Sequence, residues 1–187
     1  MLTRRQFAQG TATAALTLAA APALAMIGDD ITLPPAPLPG VSIAPEFYPA
    51  VFRVKREFEP GSIIVISSQH FLYYIARKGV AIRYGVAVGK AELVFRGACS
   101  VGRKVEWPSW KPTPEMIARN PKAYKKYEDG MEGGPRNPLG ARALYLYQNG
   151  RDTAIRIHGT TEPNSIGHSV SNGCIRMVND HVIDLYD

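Results

Sequence analysis

The run Arg156-Ile157-His158-Gly159-Thr160-Thr161-Glu162-Pro163-Asn164-Ser165-Ile166-Gly167-His168-Ser169-Val170-Ser171-Asn172-Gly173-Cys174-Ile175-Arg176-Met177 holds one of the chain's two cysteines and two of its four histidines. A thiol alone is a modest nucleophile at neutral pH, because a pKa of about 8.5 leaves little of it ionised; a neighbouring imidazole changes that. Gly173 carries no Cβ, so the backbone can turn sharply there and let the amides of Gly173 and Cys174 face a developing oxyanion. A free cysteine is more often inert packing than a nucleophile. Ser171-Asn172-Gly173-Cys174, however, is a small, polar, turn-forming run and poor material for a core strand.

Ile157-His158-Gly159-Thr160 followed by Ser171-Asn172-Gly173-Cys174-Ile175-Arg176 resembles the L,D-transpeptidase catalytic domain (YkuD-like), within the ErfK/YbiS/YcfS/YnhG group of bacterial envelope enzymes. Asn172 stands where many members carry histidine. Pro138-Leu139-Gly140, the run Ala143-Leu144-Tyr145-Leu146-Tyr147 and the tail Val182-Ile183-Asp184-Leu185-Tyr186 are similar to the same group, so the likeness reaches from roughly Gly61 to the end. The fold it implies is mainly β, a sandwich or mixed sheet with one or two short helices and a long loop over the active-site groove.

The expected chemistry is acyl transfer through a thioester. Cys174 attacks a peptide carbonyl, and His158 accepts the thiol proton and returns it to the leaving amine. The resemblance supplies the third member as a backbone carbonyl, that of Gly159, holding the imidazole tautomer; Glu162 is near enough in sequence to be considered. Ser171, Asn172 and Trp110 are expected to support the site, and Tyr145 or Tyr147 to add a hydroxyl. Arg176 either stabilises the thiolate or grips a substrate carboxylate through its planar fork, the alternative being an ordinary ion pair. His168 competes for the base role, but it lies in a Gly-Ser loop, whereas Ile-His158-Gly ends a strand.

The resemblance implies a peptidoglycan tetrapeptide donor cleaved after meso-diaminopimelate, with release of D-alanine. The acceptor would be another stem's diaminopimelate amine, giving a 3-3 cross-link, or an amine of an outer-membrane protein. With water as acceptor the enzyme is an L,D-carboxypeptidase, and some relatives hydrolyse the wall-bound product. Carbapenem β-lactams are expected to acylate Cys174. No cofactor is expected, nor a metal, since Cys99, Cys174, His158, His168 and His181 lack zinc-type ligand spacing. The competing class is a non-catalytic peptidoglycan-binding module using the aromatic and basic loop. A papain-like peptidase is a weaker alternative, because its cysteine precedes its histidine and the order here is reversed.

The 187 residues, 45% apolar, suit one soluble domain with additions. Of the net charge of +6, Arg4 and Arg5 supply two, and the other basic residues are scattered, which argues against nucleic acid and for a solvated surface. Cys99 is expected as a free, mostly buried thiol on a strand, with a redox-dependent bond to Cys174 as the alternative.

Residues 1–25 read as an export signal, with Arg4-Arg5 ahead of a small-apolar run and Ala23-Leu24-Ala25 as the cleavage pattern. The paired arginines resemble a twin-arginine signal, an ordinary Sec n-region being the alternative. The run is too short for a transmembrane anchor, so the mature protein is expected in the periplasm. Residues 26–60, rich in proline, read as a linker whose later part lies down on the domain.

Residues 61–187 then form the catalytic domain. Ser62–Ile66, Phe71–Ile75 and Val80–Val88 read as an antiparallel meander, and Ala98–Arg103 as a further strand. Thr113 reads as the cap of a short helix at Pro114–Arg119. Asn120–Pro138 is a long loop of the lid or binding-wall kind, with Trp107, Trp110, Tyr124 and Tyr127 as groove candidates. Ala143–Tyr147 and Thr153–His158 flank an Asn149-Gly150 hairpin, and Asn179–Tyr186 reads as a helix packed on the sheet. The closing strand that the resemblance leads one to expect does not follow it.

Overall fold

Four short runs of β-branched and aromatic residues in the first half of the chain, separated by tight polar turns, pair into one antiparallel sheet. In the computed structural model, which describes residues 31–187, these are β1 (Ala50–Arg53), β2 (Ile63–Ile66), β3 (Phe71–Arg77) and β4 (Val80–Gly85), in the order β1-β4-β3-β2. The β2–β3 connection turns through a 3₁₀ segment, Ser67–Gln69, and His70 in the left-handed region at φ 59°. The export signal expected over residues 1–25 lies outside the described residues.

After β5 (Val88–Gly89), the second sheet is built from β6 (Ser100–Glu106), β7 (Arg142–Gln148), β8 (Arg151–His158) and β10 (Ile175–Arg176), in the order β10-β8-β7-β6. Asn149 and Gly150 both have positive φ, 52° and 74°, as a two-residue hairpin between twisted strands requires. β10 runs parallel to β8, and β9 (Ser169–Ser171) runs parallel to β5. Among the described residues three short helices complete the fold: α1 (Pro114–Arg119), α2 (Pro121–Tyr124) and α3 (Asn179–Tyr186). Thr113 Oγ1 accepts from Met116 N at 3.3 Å to cap α1, and Asn120 Oδ1 caps α2 from Ala123 N at 3.2 Å. The Asn120–Pro138 loop thus carries α2 and a 3₁₀ turn, Lys125–Tyr127.

The core joins the inner faces of the two sheets. Leu72, Ile82, Tyr84 and Val86 meet Leu144, Leu146 and Ile157, with Met177 and the Val182 and Leu185 face of α3 closing one side. Each large aliphatic buried there contributes about 1.5–3 kcal/mol. Tyr84 satisfies its hydroxyl by donating to Asp184 Oδ2 at 2.5 Å. The mainly β architecture with few short helices agrees with the sequence expectation.

Two details differ from it. The proline-rich stretch packs on the domain well before Phe47: Ile31 and Leu33 lie against the main core, and Leu38 is buried with Ala87, Ile166 and Val178, with Val41, Ile43 and Tyr48 against them. Prolines lack the N–H a ladder needs, and the first strand of the sheet, β1, starts at Ala50, directly after Pro49. Cys99 is exposed rather than buried. The strand begins one residue later, at Ser100, and β6 is an edge strand whose residues are largely solvent-exposed.

His181 is 0% exposed, and neither ring nitrogen has a hydrogen-bond partner. The rings of Tyr48 and Tyr84 flank it at 6.1 and 6.3 Å. Burial lowers its pKa to about 4, against about 6.5 in an unfolded chain. Between those values the unfolded chain takes up a proton that the folded chain refuses. This contribution is therefore intact above pH 6.5 and is lost as pH falls toward 4, by about 3 kcal/mol. Urea unfolding between pH 8 and 4 should show His181→Met losing less stability than wild type over that window by this amount; equal losses would mean that His181 is protonated equally in both states.

Candidate active site

The parallel pairing of β10 with β8 sets the site. It places Arg176 opposite His158 and Ile175 opposite Ile157, so the turn that ends in Cys174 arrives beside the C-terminal half of β8. Gly173 sits at φ 119° with the Leu93 carbonyl and the Ile155 side chain close by, a backbone state and a clearance that favour glycine. Ser171, 2% exposed, clasps this turn: its hydroxyl donates to the Cys174 carbonyl at 2.6 Å and accepts from Gly173 N at 3.1 Å. The Gly173 N–H, expected as an oxyanion donor, is therefore engaged by Ser171 here.

Cys174 and His158 line one cavity of about 520 Å³. His158 is 4% exposed, and its Nδ1 lies 2.6 Å from the Gly159 carbonyl. Burial lowers its pKa to about 4, with the backbone of Gly159 and, less strongly, of Leu139 opposing and the charges of Arg176 and Arg156 adding to the effect. Cys174 is half-buried. Burial pushes its thiol up, opposed by a backbone bond from Arg156 and by the charges of Arg156 and Arg176. Both groups are thus uncharged at neutral pH. The pair can act by general-base transfer during attack, and no preformed thiolate is needed. Cys174 Sγ also donates to the Ala154 carbonyl, at 3.8 Å.

That carbonyl is aimed by a bulge. Between the pairs Tyr145↔Arg156 and Tyr147↔Asp152, β8 has three residues where β7 has one, and Ala154 takes φ 60°. A non-glycine residue there costs on the order of 1 kcal/mol or more. Side chains hold it in place. Asp152 Oδ1 accepts from Ala154 N at 2.8 Å, and Thr153 Oγ1 accepts from Ile155 N at 3.1 Å while donating to the Leu146 carbonyl at 2.7 Å. Arg156 grips both carboxylate oxygens of Asp152, at 2.6 and 2.8 Å. Arg156 and Asp152 were not singled out by the sequence, where they look like ordinary surface charges on a strand.

The other expected site residues divide. Arg176 and Asn172 line the cavity, and so do Trp110, Tyr124 and Tyr127 from the 107–138 loop. Trp110 packs on Tyr124 and Tyr127 at 6.3 and 5.7 Å, and Asn172 Nδ2 donates to the Tyr124 hydroxyl at 3.1 Å, tying the loop to the Cys174 turn. Arg176 Nη1 is 2.6 Å from Glu162 Oε2, so Glu162 serves the arginine and not the imidazole. Tyr145 and Tyr147 do not line the cavity. Tyr145 is sandwiched between the guanidinium groups of Arg103 and Arg156, at 3.9 and 4.1 Å, and Tyr147 packs over Gly102. His168 is exposed and outside the cavity. Among the described residues, no three His, Cys, Asp or Glu side chains group to hold a metal ion, and no helix is long and apolar enough to cross a membrane.

A family model described as the L,D-transpeptidase catalytic domain (YkuD) matches residues 60–187. The chain belongs to this family. It is 33% identical over 129 residues to the ErfK/SrfK protein of Escherichia coli (strain K12), named an L,D-transpeptidase, covering 68% of this chain and 40% of that one. It is 43% identical over 105 residues to the L,D-transpeptidase YqjB of Bacillus subtilis (strain 168), covering 55% and 51%. The chain thus spans about half or less of the length of these curated relatives. Among solved structures it is similar, at 50% identity and a TM-score of 0.57, to a Brucella melitensis protein named carnitine operon oxidoreductase caia, covering 78% of this chain and 89% of that one. That name describes the Brucella protein only.

Removing the Ser171 hydroxyl leaves the Gly173 N–H and the Cys174 carbonyl without their partner. Ser171→Ala is therefore expected to lose about 1–3 kcal/mol of stability and to speed amide hydrogen exchange at Gly173. Unchanged exchange at that amide would show that the turn holds its shape without Ser171.

Proposed function

We propose that the protein is a peptidoglycan L,D-transpeptidase with Cys174 as nucleophile and His158 as its general base and acid. The observation that carries this reading is the pairing, in one cavity, of a half-buried thiol with a buried, neutral imidazole whose Nδ1 is committed to a backbone carbonyl. With the Nδ1 proton donated to Gly159, the Nε2 lone pair is available to the thiol.

In the donor step the thiol turns from the Ala154 carbonyl toward His158. Sγ adds to the meso-diaminopimelate carbonyl of a tetrapeptide stem, and its proton passes to Nε2. The tetrahedral oxyanion collapses, the bond to the D-alanine nitrogen breaks, and Nε2–H protonates the leaving amine. In the second step an acceptor amine attacks the thioester carbonyl and gives a proton to His158. The C–S bond then breaks, and the thiolate takes that proton back. The acceptor amine is a second stem's diaminopimelate, giving a 3-3 cross-link, or an amine of an envelope protein. Aromatic walls from Trp110, Tyr124 and Tyr127 suit the flank of a stem peptide. Carbapenems are taken as covalent inhibitors because their strained carbonyl presents the same electrophile. The setting is the periplasm, reached through the N-terminal signal.

The test is mass-spectrometric product analysis with a disaccharide-tetrapeptide and an excess of a D-amino acid. Release of D-alanine with formation of the exchanged stem, lost in Cys174→Ala and reduced about 10²–10⁴-fold in His158→Gln, is the expected result. Tripeptide alone would make water the acceptor and the enzyme an L,D-carboxypeptidase. No product with retained wall binding would favour the binding-module reading. Because protonated His158 cannot act as base, and its pKa is lowered to about 4, kcat/KM should stay level from neutral pH down to about 5 and fall below that; a break near 6.5 would mean that the imidazole is solvated in the free enzyme.

A further inference from the structure

The geometry points to Asn179 as a positioning residue that fixes the tautomer of His158 by anchoring the Gly159–Thr160 peptide. This rests on the reading of His158 as the base. Asn179 begins α3, just after the buried Val178. Its Oδ1 accepts from Thr160 N at 3.2 Å and from Ala141 N at 3.1 Å.

Thr160 N and the Gly159 carbonyl belong to one peptide unit. That unit is planar and trans, so its N–H and C=O point in opposite directions. Holding the N–H toward Asn179 therefore turns the carbonyl away from it, and on that side the carbonyl meets His158 Nδ1 at 2.6 Å. The next peptide upstream is fixed as well, because Gly159 N donates to the Arg142 carbonyl at 3.0 Å. A third tie runs from Met177 N to the His158 carbonyl at 2.8 Å, so the segment entering α3 is joined to the histidine on both sides.

The two glycines around Asn179 follow from the same arrangement. A Cβ at Gly140 or at Gly159 would collide with Asn179 Oδ1. Gly159 lacks a positive φ, so close approach of the amide oxygen is what its position requires. One side-chain oxygen thus holds Ala141, at the entry to β7, and the turn after His158 to α3.

Without this acceptor the Gly159–Thr160 peptide is free to rotate. The buried imidazole then loses the carbonyl that selects Nδ1–H, and the Nε2–H form, which cannot accept the thiol proton, becomes populated. Aspartate at 179 keeps an acceptor in place and is compatible with a helix N-terminus. Serine is compatible with it too, but its hydroxyl is too short to reach both amides. Leucine keeps the volume and offers no acceptor.

The experiment compares ¹⁵N-labelled wild type, Asn179→Asp, Asn179→Ser and Asn179→Leu. The His158 tautomer is read from two-bond nitrogen–proton correlation spectra, and kcat and KM from the stem-exchange reaction. Wild type and Asn179→Asp should show Nδ1–H. Asn179→Ser and Asn179→Leu should show a mixture with Nε2–H and lose about 10- to 100-fold in kcat, with KM little changed. If Asn179→Leu does not fold, Asn179→Ser decides. A wild-type tautomer and kcat in the folded serine or leucine variant would overturn the assignment. If wild type itself shows no exchange, the transpeptidase reading fails, while the tautomer spectra still judge Asn179.

Discussion

A buried imidazole must give its N–H to an acceptor or be left with an unsatisfied polar group. At the end of β8 that requirement is met by the carbonyl of the next residue, Gly159, at 2.6 Å, and much of the local structure serves this contact. The carbonyl can point back at the ring because the peptide that carries it is tied down on its N–H side. The tie is possible because residues 140 and 159 are glycines that let an amide oxygen come close. Parallel pairing of the two-residue β10 then delivers the cysteine turn alongside.

Contrast with His181 shows what the contact does. Both imidazoles are buried and both have a pKa lowered to about 4. His181, with no polar partner and aromatic rings around it, is a packing element that ties α3 to the sheets. His158 has one nitrogen committed and a cavity beside it. Burial sets protonation in both cases, and the committed Nδ1 and the adjoining cavity are what distinguish His158. Burial also shifts the thiol toward its neutral form, by raising its pKa.

Much of this was readable in the sequence where the signals are local. The meander came from β-branched runs and polar turns, the hairpin from Asn149-Gly150, α1 from Thr113 before Pro114, and α3 from its apolar face. The histidine and cysteine motifs both supply lining to the one cavity. What was hidden depends on pairings between distant residues. Strand alternation puts Tyr145 and Tyr147 on one face but does not say what covers them, and the structure sets Tyr145 between Arg103 and Arg156, outside the cavity lining. The three-for-one bulge of β8 has no glycine to announce it, because side-chain hydrogen bonds from Asp152 and Thr153 hold Ala154 in the left-handed region. Asn179 lies 19 residues from Thr160 and 38 from Ala141, so in the sequence it reads only as a residue at the start of a helix.

The central claim is that the environment built around Cys174, and not thiol exposure, makes that residue the electrophile's target. The chain carries its own control, since Cys99 is the more exposed thiol but has no imidazole-lined cavity. Peptide mapping of the folded protein after brief treatment with a limiting amount of a carbapenem tests this directly. The account predicts a single adduct on the peptide containing Cys174, with Cys99 unmodified and still open to alkylation. An adduct on Cys99, or on neither cysteine, would contradict it.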